Sequence, residues 1–273
     1  MYFGAHVSVA GGLVNGPKNA AAIGCQVFQF FSRSPQGGPA PVITPEVADT
    51  FLQTCKETAM KQWVIHTPYY INFASGEGRT RGNSIRIVRE ELERGSLLGA
   101  SYVMFHPGSA KDVGEAEAIK HVIEGIKKVY EKYDGTTELL IEISAGAGMV
   151  IGDSFEEVAI ILEGVSHPRL GVCFDTAHAF ASGYDLRTEA AVKDTFKQFD
   201  KIIGLKRLKM SHCNDSKVDI GERKDRHEHL DKGYIGMEGF RAMVHHQDLQ
   251  HMNLYLETDP DGVKEDLEIL KSL

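Results

Sequence analysis

A single-domain α/β protein, folded as a (β/α)8 TIM barrel, is what this sequence of 273 residues predicts. Three observations carry that prediction. Short apolar runs alternate with longer segments of helical periodicity from one end of the chain to the other. Eight such runs occur, the number a closed barrel needs, and the length suits one barrel. The runs are apolar at consecutive rather than alternate positions, which means burial on both faces, as in parallel sheets. A doubly wound open sheet is the competing arrangement of the same units. No Pro- or Ser-rich linker and no shift in composition divides the chain, so residues 1–273 read as one domain.

The elements follow in order. Residues 2–9 (YFGAHVSV) form the first strand, with His6 toward its tip, and 19–24 (NAAAIG) a short helix of small residues. The second strand is 25–31 (CQVFQFF). Thr44 followed by Pro45 marks an N-cap and first turn, opening a helix over 45–61. The third strand, 63–68 (WVIHTP), ends in His66; the helix after it, 84–99, stops at Gly99. The fourth, 101–107 (SYVMFHP), ends in His106 and leads into a helix over 115–133. The fifth, 138–144 (ELLIEIS), carries Glu142 near its end, and an acidic first turn at 153–157 opens a helix running to 165. The sixth, 170–176 (LGVCFDT), ends in Asp175, and a helix covers 189–204. The seventh, 206–213 (KRLKMSHC), ends in His212, and the eighth, 253–258 (NLYLET), in Glu257.

Composition narrows the function. Hydrophobic residues at 42% and charged residues at 25% are ordinary for a soluble globular protein. A net charge of −8 argues against a protein that coats nucleic acid nonspecifically. It leaves room for a local basic rim, and bound divalent cations would offset part of it. Twelve histidines are the first compositional hint of metal. Four scattered cysteines without a Cys-x-x-Cys pair read as free, buried thiols, with Cys213 set apart only by following His212. No apolar run reaches the roughly 20 residues of a membrane span. The N-terminus lacks a basic segment before its first strand, so no secretory signal is read and a cytoplasmic location is expected.

Barrel active sites lie at the C-terminal ends of the strands. Six consecutive strands here end in His66, His106, Glu142, Asp175, His212 and Glu257. Taken singly, a His before Pro is usually a satisfied loop residue, and a lone carboxylate a helix cap. Six together in one barrel mouth would be desolvated with no counter-charge, which a divalent cation supplies. His178 follows Asp175 by three residues, and Asp225 and His227 flank Arg226, pointing the same way if that segment is extended. The set is then five imidazoles and four carboxylates. One zinc takes about four ligands, so two or three ions sharing a carboxylate are implied, and mixed N and O donors suit Zn or Mn. His6 reads as support beneath the site. His121, His167, His245, His246 and His251 read as peripheral, and His229 stays unassigned.

The stretches GAHVS, HTPYYIN, FHPGS, FDTAHAFASGYD, HCNDSK, DRHEH and LETDPDG occur in order from residue 2 to about 262. In that order and spacing the chain resembles the endonuclease IV family of apurinic/apyrimidinic (AP) endonucleases. The resemblance implies three metal ions, usually zinc: His66, His106 and Glu142 on one; Glu142, Asp175, His212 and Glu257 on a second, with Glu142 bridging; His178, Asp225 and His227 on the third. It implies hydrolysis of the phosphodiester 5′ to an abasic site in double-stranded DNA, leaving a 3′-hydroxyl and a 5′-deoxyribose phosphate, a step of base excision repair. The nucleophile implied is a hydroxide between the first two ions, whose pKa the metals lower, with Glu142 as the catalytic residue that positions the pair. DNA contacts are expected from Tyr69, Arg226, Arg33 and Gln36, and from Arg79 and Arg81 on backbone phosphates. Lys217 is either a further contact or an ion-pair partner of Asp215. A monomer is expected. Two departures stand out: Gln36 where many members place an Arg that enters the DNA, and Ile143 where Asn usually follows the bridging Glu. The rival readings are a metal-dependent sugar isomerase or epimerase on the xylose isomerase-like barrel, and a metal- or DNA-binding barrel without turnover. The DRH stretch favours the nuclease, since a sugar isomerase has little use for a third ion.

Overall fold

The computed structural model describes residues 1–273 and shows eight parallel strands closed into a barrel in the order β1-β10-β7-β6-β5-β4-β3-β2. These are β1 (Phe3–His6), β2 (Val27–Phe30), β3 (Gln62–His66), β4 (Tyr102–Phe105), β5 (Glu138–Glu142), β6 (Leu170–Asp175), β7 (Leu208–His212) and β10 (Asn253–Leu256). Two further strands, β8 (Asp215–Ser216) and β9 (His227–Glu228), pair antiparallel as a small hairpin above β7. The closed order rules out the open doubly wound sheet.

Continuous apolar runs fold this way because barrel strands are buried on both faces. Inward residues from seven strands, Val27, Val64, Met104, Leu140, Cys173, Met210 and Tyr255, fill the lumen. Outward residues pack against the surrounding helices in one large core. Gly4, the β1 residue in register with Val27 and Tyr255, has no room for a side chain: a Cβ there would lie 1.7 Å from the Val27 carbonyl oxygen. At the lumen floor the Tyr255 hydroxyl donates to Gln62 Oε1 at 2.7 Å. The floor is thus plugged, and polar chemistry is confined to the opposite end.

Helix boundaries follow local signals where those exist. Thr44 caps α2 (Pro45–Glu57) by accepting from the Val47 amide at 3.4 Å, and Gly99 ends α3 (Gly78–Leu98) in the left-handed region at φ 66°. The latter helix begins six residues before the predicted 84. Its first turns, GRTRGN, are polar and glycine-bearing and show no apolar period, yet tertiary contacts hold them: Ser84 Oγ accepts from the Asn72 amide at 2.9 Å, and Arg81 donates to the Ser75 carbonyl at 2.7 Å. The first helix, α1 (Asn15–Ala22), likewise starts earlier than predicted. Between them, α4 (Glu115–Tyr130), α5 (Phe155–Val165), α6 (Thr176–Ser182), α7 (Glu189–Ile202), α8 (Gly236–His245) and α9 (Val263–Ser272) complete the outer layer. All four cysteines are buried and unbridged, Cys213 included. No helix is long and apolar enough to cross a membrane.

Candidate metal centre

The strand ends converge as a closed barrel requires. His66, Glu142, Asp175 and His212 are the last residues of β3, β5, β6 and β7, while His106 and Glu257 stand one residue beyond β4 and β10. At the centre lies Glu142, fully buried. Its Oε1 is 2.7 Å from His212 Nδ1 and 3.5 Å from His178 Nδ1. Its Oε2 faces His106 Nε2 at 3.2 Å and His66 Nε2 at 3.5 Å. Around this carboxylate the donor atoms fall into compact groups: His66, His106 and Glu142; Glu142, Asp175, His212 and Glu257; and Asp175, His178 and His227. Cys173, in the lumen layer below, also comes within reach of Glu142 and His212, but burial pushes its thiol up to about 12.

Asp175 has two functions at once. Its Oδ1 accepts from the His178 amide at 2.8 Å and caps α6, which leaves Oδ2 3.6 Å from both His212 Nδ1 and His227 Nε2. The carboxylate therefore sits between the second and third groups, where the sequence placed it with the second alone. Asp225 approaches from the loop before β9, its Oδ1 3.1 Å from His178 Nε2 and 3.5 Å from His227 Nε2. The hairpin of β8 and β9 explains the DRH geometry: it projects His227 inward, with Nε2 3.2 Å from His178 Nε2, and leaves Arg226 exposed.

Two imidazoles are oriented by main chain. His66 Nδ1 donates to the Thr67 carbonyl at 2.6 Å and His178 Nδ1 to the Ile143 carbonyl at 3.0 Å, so both turn Nε2 toward the carboxylates. Ile143 thus supports the site through its backbone, which any residue type supplies. Sequence reasoning missed two amides. Asn214 donates from Nδ2 to Asp175 Oδ2 at 2.8 Å and accepts the Glu257 amide at 2.7 Å. Gln29, in β2, contacts Glu257, His6 and His212. The signal for Gln29 was available: it is the lone amide inside the apolar run VFQFF, in register with His6.

The electrostatics are those of a cation site. Burial would raise the Glu142 carboxyl, but His106, His212 and His66 hold it well below the usual carboxylate range. Burial opposes charge on His178 and His212, yet Asp175, Asp225 and Glu142 lift His178, and Cys173 with Glu257 and Glu142 lifts His212, well above the usual imidazole value. His66 is raised in the same way by Glu142, whereas burial lowers His106, and lowers His6 to about 4. Buried Glu142 Oε2 has no hydrogen-bond partner, although two imidazole nitrogens face it. An orphaned carboxylate oxygen within a set of His, Asp and Glu donors is what a divalent ion fits.

This gives a pH prediction. In the metal-free chain, protonated His66, His178 and His212 stand in for the cation. Their raised values contribute stability that is complete below about pH 6.5, the unfolded value, and is lost as pH rises through the folded ones. His6 and His106, being lowered, act in the opposite sense: their contribution is complete above about pH 6.5 and is lost as pH falls through the folded values, about 4 for His6. Zinc replaces the protons, so the rise in Tm on adding zinc is expected to be larger near pH ~8.5 than near pH ~6. Calorimetry of loaded and stripped protein at both values checks it; an equal rise at both contradicts the assignment.

The mouth opens into a cavity of about 770 Å³ lined by His66, His106, His178, Asp225, His227 and Glu257 among others. Tyr69 stands at its edge, 70% exposed and edge-on to Phe31. Gln36 is exposed on the loop after β2, ahead of Gly37 and Gly38 in positive-φ conformations. Arg33, expected as a DNA contact, is instead buried and ion-paired to Glu91 and to Glu90 on α3, which supply the counter-charge a buried guanidinium needs. Lys217 is exposed and makes no ion pair with Asp215, whose carboxylate instead accepts from the amides of Ser216, Gly233 and Ile235. His229 bonds Asp266 at 2.7 Å, away from the cluster.

Comparison with known proteins places this geometry. The family model described as xylose isomerase-like TIM barrel matches residues 17–273. The probable endonuclease 4 of Aquifex aeolicus is 37% identical over 95% of this chain and 92% of its own length. That of Halothermothrix orenii is 37% identical over 100% of this chain and 99% of its own. Among solved structures, endonuclease IV from Thermus thermophilus superposes with a TM-score of 0.88 at 30% identity, covering 100% of this chain and 98% of that one. A D-tagatose 3-epimerase-like protein reaches a TM-score of 0.70 at 18% identity, covering 100% of this chain and 99% of its own, and shares the fold alone.

Proposed function

The chain belongs to the xylose isomerase-like TIM barrels and, within them, to the endonuclease IV family of AP endonucleases, and from that premise we propose that it is a metal-dependent repair nuclease cutting double-stranded DNA on the 5′ side of abasic sites. The observation that carries the reading is the third donor group. His178, His227 and Asp225 lie beside Glu142, which two other donor groups already share, more donors than a one- or two-ion sugar enzyme uses.

His66, His106 and Glu142 would hold one ion, Glu142, Asp175, His212 and Glu257 another, and His178, His227 and Asp225 a third, with Asp175 close to the last two. Zinc fits this mixture of imidazoles and carboxylates, and manganese is the alternative at one or more positions. Bound there, divalent ions lower the pKa of water and neutralise charge on the phosphate. The chain does the rest. Glu142 fixes the spacing of the groups from the barrel axis. Asp175 and His178, locked by the α6 cap, hold a set geometry before substrate arrives. Tyr69 offers an aromatic face at the rim, suited to stacking beside a gap in the duplex. Arg226 offers a cation to a phosphate, and Gln36 a neutral amide at the loop tip. We place the enzyme in the cytoplasm, with its DNA substrate, and expect it to act as a monomer.

A duplex oligonucleotide with one tetrahydrofuran abasic analogue tests the proposal. We expect a single nick 5′ to the analogue, leaving 3′-hydroxyl and 5′-phosphate ends, and close to three ions per chain by metal analysis. An intact duplex with metal-replete protein, together with turnover of a ketose, would instead establish a sugar epimerase. Tyr69→Ala is expected to raise KM for this duplex about tenfold, the weight of roughly 1–3 kcal/mol for one aromatic stack, with kcat little changed. A steady-state titration that finds KM unaltered removes Tyr69 from the interface.

A further inference from the structure

We propose that Gln29 is a positioning residue of the metal centre: it selects the tautomer of His212 and aims Glu257, and so completes the group formed with Glu142 and Asp175. The proposal rests on the metal reading above.

Gln29 is the third residue of β2, fully buried at the barrel mouth. A buried amide must satisfy two donors and an acceptor. All are used here. Nε2 donates to Glu257 Oε1 at 2.5 Å and to His6 Nδ1 at 2.9 Å, while Oε1 lies 2.8 Å from His212 Nε2. The partners fix which way the amide faces. Turned over, its oxygen would abut the Glu257 carboxylate, and its NH2 would meet only His212 Nε2, leaving one hydrogen without a partner.

With a carbonyl oxygen against Nε2, that nitrogen of His212 must carry the hydrogen. Nδ1 is then free on the opposite edge, where it faces Glu142 Oε1 at 2.7 Å, Glu257 Oε2 at 3.1 Å and Asp175 Oδ2 at 3.6 Å. With a cation held among these three carboxylates, the lone pair on Nδ1 becomes one of its donors. His66 and His178 present Nε2 because main-chain carbonyls hold their Nδ1–H. His212 presents Nδ1 instead, and the group that enforces it is a side chain reaching past β1 and β10. One residue thereby couples two donors of the same position. Asn would fall a methylene short, and Glu would lose the hydrogen that steadies Glu257.

The test uses full-length protein with zinc. Gln29→Met keeps volume without hydrogen bonds; Gln29→Glu keeps the acceptor for His212 but not the donor to Glu257. Zinc affinity is read by competition titration. The His212 tautomer is read from long-range 1H–15N spectra of the zinc-loaded protein, its signals identified by their loss in His212→Asn. In Gln29→Met we expect one zinc to bind roughly 10–100-fold more weakly, the others unchanged, and the Nε2–H pattern of His212 to disappear. In Gln29→Glu the affinity falls at the same position while the Nε2–H pattern persists. Should Gln29→Met not fold, loss of that pattern in Gln29→Glu overturns the proposal. So does wild-type affinity with an unchanged pattern in Gln29→Met, with the metal reading left standing. A wild-type protein that takes up no zinc overturns both.

Discussion

Glu142→Gln is expected to lower cleavage of the abasic duplex by about 10³-fold while the barrel stays folded. The carboxylate is fully buried, and each oxygen faces a different set of imidazoles. The amide keeps volume and shape but carries no charge, and one of its two ends becomes a donor. That end must then point at imidazole nitrogens which, in the loaded protein, offer no acceptor. Losing a ligand shared between two positions removes several kcal/mol of transition-state stabilisation, and about 4 kcal/mol corresponds to roughly 10³ in rate. Packing around the side chain is preserved, so circular dichroism should match wild type, while the metal-free Tm falls because the facing imidazoles lose their buried counter-charge. Single-turnover cleavage with saturating metal makes the measurement. Activity within tenfold of wild type would remove Glu142 from the bridging role.

Prolonged chelation is the second large effect, and it falls on stability and activity together. Each ion that binds the folded chain alone stabilises it by about 2.7 kcal/mol at a hundredfold excess over Kd. For a chain this long, roughly 2–4 °C accompanies each kcal/mol, so one site is worth about 5–10 °C and several sites more. The stripped protein keeps its fold, because the closed barrel and the lumen layer of Val27, Val64, Met104, Leu140, Met210 and Tyr255 do not depend on the ions. We expect no detectable nicking after chelation, a Tm lower by at least that of one site, and recovery of both with zinc. Recovery of Tm without activity would mean that the ions hold the mouth together but do no chemistry. Full activity after chelation verified by metal analysis would end the metal reading.

Much of this was legible in the chain. Alternating runs and helical segments announced the barrel, and the strand-end rule brought out six donors without any contact being known. The limits of that reading are instructive at single residues. Asp175 posed a choice between helix cap and ligand, and the structure shows that the choice was false, since one oxygen caps α6 while the other faces the cluster. Arg33 was drawn toward DNA by its place in a mouth loop, but two glutamates 57 and 58 residues away claim it. Gln29 passed as part of an apolar strand because its partners His212 and Glu257 lie 183 and 228 residues further on. The early turns of α3 escaped notice because tertiary hydrogen bonds hold them, without an apolar period to mark them.

By itself the sequence determined the class of fold, the strand that carries each of the six strand-end donors, and the end of the barrel at which they appear. Those are local properties: burial on both faces writes itself as apolar runs, and a polar residue that ends such a run must lie at a strand tip. Tertiary structure alone decided which tips are neighbours, which oxygen of Asp175 faces which imidazole, which nitrogen of each imidazole is free, and which charges are already paired. Those properties depend on barrel closure and strand register, which bring residues more than a hundred positions apart to within 3 Å. No periodicity within a single strand encodes a distance of that kind.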